Sequence, residues 1–130
     1  MKPGMLVWLM AALAWLLCGP AAAEGQKWVE VKDAKELRAL VSNKTMRGNG
    51  WFAHYYADGS YVLTIQDDPN PRRGTWQVTD HGQICCTRDG EAVYCYRYRR
   101  STQKKGKYSQ ASVRTGTMWY FTLEDGVPAQ

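Results

Sequence analysis

The stretch WFAHYYADGSYVLTIQ, residues 51–66, sets two runs rich in aromatic and β-branched side chains on either side of Asp58-Gly59. Such side chains fit a pleated, half-buried surface, and Asp-Gly between two such runs is the strongest short hairpin signal. The apolar period is two rather than 3.6, so the segment predicts a pair of antiparallel strands.

The same period continues downstream. DDPNPRR (67–73) holds two prolines and is excluded from any central strand. GTWQVT (74–79) predicts the next strand, with Trp76 and Val78 on one face. A turn at Asp80-His81-Gly82 leads to QICCTR (83–88), and Asp89-Gly90 leads to AVYCYRYR (92–99). STQKKGK (101–107) is a basic loop, followed by YSQASVR (108–114), a Thr-Gly-Thr turn, MWYFTL (118–123) and the polar tail EDGVPAQ. Upstream, EGQKWVEVK (24–32) is a lead-in with room for a short strand. Asp33 with Glu36 three residues later is a capping-box start, Leu37, Leu40 and Val41 form one apolar stripe, and Asn43 is a C-terminal stop; together they predict a helix over 34–42. The expected fold is mainly β. It is an antiparallel meander of about seven short strands, closing or nearly closing into a small barrel, with one short N-terminal helix over an open end.

The first residues have a different character. Lys2 gives a positive start, 5–17 is uncharged and apolar, Gly19-Pro20 breaks the run, and Ala21-Ala22-Ala23 supplies a small-residue cleavage site. This is the pattern of a secretory signal peptide, and the apolar run is shorter than the ~20 residues that span a bilayer. The alternatives are an uncleaved anchor or a lipid on Cys18. Cleavage after Ala23 leaves a single domain over 24–130, exported to the periplasm or secreted, with no transmembrane anchor. At 130 residues the chain has no room for a second domain, and 45% apolar residues with 12% aromatics are enough to build a core.

Export puts Cys85, Cys86 and Cys95 in an oxidising compartment, where one thiol must be left over. A three-residue loop at 89–91 sets Cys85 opposite Cys95, whereas a four-residue loop sets Cys86 there. KTMRGNG (44–50), HYYADGSY (54–61), GTWQV (74–78) and the two-cysteine strand pair ending in Cys95-Tyr96-Arg97 are similar to a family of small secreted proteobacterial proteins with a domain of unknown function. The resemblance covers about 34–100. It implies a small β-barrel or sandwich and favours a Cys85–Cys95 disulfide, and it implies no catalytic residue. Cys86 would then be a free thiol on the face of Ile84, packed as a small hydrophobe unless it forms an intermolecular disulfide or reacts.

The chain carries 17 Lys and Arg against 12 Asp and Glu, a formal net charge of +5. The excess is local. Arg88, Arg97, Arg99, Arg100, Lys104, Lys105, Lys107 and Arg114 face only Asp89 and Glu91 within 88–114. Strand alternation puts Tyr96 and Tyr98 on one face and Arg97 and Arg99 on the other, and the charges are expected to project to solvent. Arg97, Arg99, Arg100, Lys104, Lys105, Lys107 and Arg114 are therefore the candidate anion-binding residues. A solvated edge that resists aggregation would carry the same charges.

His54 and His81 are not spaced with a nucleophile or with metal ligands, and Asp67-Asp68-Pro69-Asn70 lacks the spacing of a calcium loop. No phosphate loop, nucleophile elbow or zinc signature occurs, so neither a metal nor a cofactor is expected, and no catalytic residue is assigned. The expected function is a non-enzymatic binding module for an anionic partner: a polysaccharide, a lipid headgroup surface or a protein. Export argues against nucleic acid. The alternatives are a barrel carrying a small apolar ligand and a periplasmic enzyme inhibitor; an unrecognised hydrolase is a further possibility.

Overall fold

A computed structural model of the protein describes residues 27–88, 90 and 92–130. The leader expected at 1–23, Cys18, Asp89 and Glu91 lie outside the described residues. Among these residues the chain forms β1 (Trp28–Val31), α1 (Ala34–Val41), β2 (Lys44–Gly48), β3 (Trp51–Tyr55), β4 (Ser60–Ile65), β5 (Arg72–Val78), β6 (Ile84–Arg88), β7 (Tyr94–Ser101), β8 (Lys107–Ser112) and β9 (Met118–Asp125). Every pairing is antiparallel. Each strand from β2 to β9 pairs with the next, and β9 returns to pair with β2, which closes an eight-stranded barrel. The strand β1 adds to the edge of β7 at Tyr98–Ser101, beyond the residues that pair with β6.

The 51–66 hairpin forms as expected, with Tyr55 paired to Tyr61. Its turn has three loop residues: Tyr56 N–H donates to the Ser60 carbonyl at 3.0 Å, and Gly59, at φ +94°, donates to the Tyr56 carbonyl at 3.0 Å. Only a residue without Cβ enters that left-handed conformation at no steric cost. Trp76 locks this turn from the next strand, donating its indole N–H to the Tyr56 carbonyl at 2.8 Å.

The helix stops one residue short of the expected 34–42. Its N-cap is Asp33, which accepts the Glu36 N–H at 3.0 Å. The other half of the capping box is not made, because the Glu36 carboxylate pairs with Arg100 on β7. Asn43 ends the helix in the left-handed region, φ 56°. Leu37 and Val41 are fully buried, and α1 contacts β2 and β5, which are not neighbours in the barrel. The helix therefore lies across one end and closes it.

Two differences from the expected strands matter. The barrel needs β2, which the sequence shows only as a polar run: of KTMRG, Met46 alone is a large apolar core residue, and Gly48 is covered by the Trp51 indole. The strand β5 starts at Arg72, immediately after Pro71, because the prolines lie in the turn and leave the later N–H groups free for the ladder. Inward side chains from the barrel strands, among them Met46, Tyr55, Leu63, Trp76, Ile84, Tyr98 and Phe121, form one core with Val31 and the helix, and Tyr108 of β8 packs against it. No helix among the described residues is long and apolar enough to cross a membrane.

Candidate functional site

The barrel has two unlike ends. The starts of β2, β4, β6 and β8 lie at the barrel end that α1 covers, whereas the starts of β3, β5, β7 and β9 surround an open mouth. A cavity of about 330 Å3 enters the barrel there. Asn49 and Gly50 form part of its rim. Trp51, Ile65, Tyr96 and Trp119 form the walls, and Tyr55, Tyr61 and Leu63 lie deeper. All these side chains occupy inward positions by strand alternation.

Two polar groups enter this aromatic space. Gln110 on β8 is buried, and its carboxamide oxygen accepts the Tyr98 hydroxyl at 2.8 Å. Tyr98 in turn lies 3.4 Å from the Tyr55 hydroxyl. Burial drives both tyrosines well above the ordinary phenol range, so they act as neutral hydrogen-bonding groups. The second polar group is Arg88, the last residue of β6. Its position has the parity of Ile84 and Cys86, so its side chain turns into the barrel and is only 8% exposed. Its Cζ lies 4.3 Å from the centre of the Tyr94 ring. Its buried Nε has no hydrogen-bond partner, and it forms no ion pair among the described residues.

Arg88 corrects the expectation that the whole basic run of 88–114 projects to solvent. Arg100 is exposed, but it pairs with Glu36 on α1. The candidate anion-binding residues are spread along the β7–β8 hairpin and its two ends. Arg97 is exposed on the outer face of β7; Arg99 is half-buried beside it, with its guanidinium 3.2 Å from the Met118 sulfur. Lys104, Lys105 and Lys107 are exposed at the β7–β8 tip, at the helix end of the barrel. Arg114 is exposed in the β8–β9 turn, at the mouth end.

Cys85 and Cys95 form a disulfide across β6 and β7, with their Cα atoms 4.0 Å apart. Cys86 is free, points into the barrel and is 1% exposed. Burial pushes its thiol up to about 12, against smaller opposing effects of the Tyr55 hydroxyl and the Arg88 charge. His54 sits on the outer face of β3, its Nδ1 2.9 Å from the Thr45 hydroxyl, so the barrel wall separates it from Cys86. Asp68 accepts the Asn70 N–H at 3.0 Å, a local turn contact. No group of three or more His, Cys, Asp or Glu side chains suited to a metal occurs among the described residues.

A larger concavity, about 460 Å3, lies outside the barrel between β3–β5 and the chain end at 128–130. It is a surface groove, and no unpartnered buried polar atom is found there. The interior cavity is the better candidate because it combines aromatic walls with a buried guanidinium that forms no ion pair among the described residues. Arg88 was missed in the sequence because the basic run drew it into the surface set; the alternation of Ile84, Cys86 and Arg88 was the signal that could have placed it inside. No protein-family model, no curated protein and no solved structure matches the chain.

Proposed function

We propose that the protein is an exported, non-enzymatic binding module that holds a small amphipathic ligand in the mouth of its barrel. The observation that carries this is the cavity of about 330 Å3, floored by Tyr55, Tyr61 and Leu63 and open at the barrel end opposite α1. Ligand pockets run from about 300 Å3 upward and combine apolar walls with a few polar groups, as here. The Cys85–Cys95 disulfide supports export, since such bonds persist in oxidising compartments. The test is titration with the neutral dye N-phenyl-1-naphthylamine. Its emission should rise on binding, and Ile65→Trp, which fills the mouth, should abolish the rise while the circular dichroism spectrum stays that of the parent. An unchanged rise in Ile65→Trp would place the dye elsewhere and remove the cavity as the site.

A second surface supports a separate contact with an acidic polymer or membrane surface. Lys104, Lys105 and Lys107 stand exposed on one hairpin tip, remote from the mouth.

A further inference from the structure

We infer that the cavity is selective for a monoanion: an apolar body carrying one carboxylate-like head, with Arg88 as the group that receives the charge. The inference rests on the cavity taking a ligand at all.

A guanidinium in a protein interior is ordinarily paired, because moving a charge out of water is costly and only an opposite charge with good hydrogen bonds offsets that cost. Arg88 has lost nearly all its contact with solvent, yet its Nε is unpartnered and no carboxylate among the described residues pairs with it. The Tyr94 ring offers a cation–π contact at 4.3 Å, which compensates only in part. Across β5–β6, Arg88 is paired with Gly74, which has no side chain to answer the charge. The charge is felt inside the barrel, where it favours the ionised forms of Tyr61, Tyr96 and Cys86 against their burial.

The planar fork of a guanidinium matches a carboxylate. Gln110 borders the same cavity, and because Tyr98 occupies its carboxamide oxygen, its N–H groups remain as donors for an anionic head. One guanidinium, with no second cation lining the cavity, fits a single negative charge rather than a phosphate dianion. Trp51, Leu63, Ile65 and Trp119 would enclose the apolar body.

Decanoate and its neutral counterpart 1-decanol separate the charge from the chain. Trp51 and Trp119 line the cavity, so tryptophan fluorescence of the purified protein reports either ligand. We expect decanoate to bind at least tenfold more tightly than decanol. In Arg88→Met, decanoate should fall to the affinity of decanol, decanol binding should be kept, and the melting temperature of the free protein should match or exceed the parent's, because a buried charge with no carboxylate partner among the described residues has been removed. Equal affinities for the two ligands in the parent would overturn the anion selectivity while leaving the cavity as a binding site; this comparison needs no variant. Undiminished decanoate binding in Arg88→Met, or a lower melting temperature of the free variant, would also overturn it, the latter by showing that Arg88 is held by the fold. Failure of both ligands to bind would overturn the cavity reading itself.

Discussion

Burial and alternation decide the chemistry of individual side chains in this barrel. Cys86 is one strand position from the disulfide, but the pleat turns it inward, and burial holds its thiol up at about 12. At pH 8 it should resist iodoacetamide in the native protein and label fully in denaturant; native labelling at the rate of a free thiol would contradict this. His54 is affected differently. Burial, and then the Arg47 charge, hold its imidazole below the ordinary 6.5. The fold favours the neutral ring, so the stability it contributes is complete above pH 6.5 and is lost as pH falls from there through its folded value. Its ring resonances should titrate with a midpoint below 6.5, which a proton NMR titration checks directly. The outward placement of Arg97 and Arg99 was legible from alternation alone, whereas that of Cys86 on the face of Ile84 was tied to the pairing of Cys85 with Cys95. The pairing of Arg100 with Glu36 was not legible, since the two are joined only when α1 covers the barrel end.

At the level of the elements, the tight turns do most of the specification. Asp58-Gly59, Asn43 after α1 and the Asp33 cap act within a few residues, which is why they could be read locally. The β6–β7 hairpin adds a covalent tie over a sequence separation of 10. A loop of this length limits the entropic gain, so replacing Cys85 and Cys95 together by serine should lower unfolding stability by about 2–3 kcal/mol in urea titration. A loss below about 0.5 kcal/mol would show that the hairpin register is held by its ladder alone. The register itself was open in the sequence between Cys85 and Cys86; the observed pairs Ile84 with Tyr96 and Cys85 with Cys95 resolve it.

Across the whole molecule, the basic residues are divided by the barrel. The β7–β8 tip is at the helix end and the cavity mouth is at the other, so the two candidate contacts can be tested independently. Lys104→Gln, Lys105→Gln and Lys107→Gln together should shift elution from a heparin column to lower salt, because exposed charges attract a polyanion through a screened field. The melting temperature should stay within about 2 °C, since exposed charges contribute little to folding, and cavity binding should be unaffected. Unchanged elution would remove the tip as an anion-binding surface.

The sequence by itself determined the antiparallel class, the helix, most of the strands and their turns. Each of these is set by side-chain period or by a backbone preference acting over a few neighbours. Closure of the barrel was decided only in three dimensions. It depends on β2, whose KTMRG carries almost no apolar alternation and which is held by β3, by β9 and by the Lys44–Asp125 and Arg47–Glu124 ion pairs. The β9 partners are about 80 residues away along the chain, beyond the reach of any local pattern. The destination of Arg88 was decided in the same way. Its parity pointed inward, but only the closed barrel puts an aromatic cavity where the side chain arrives, with no carboxylate partner among the described residues.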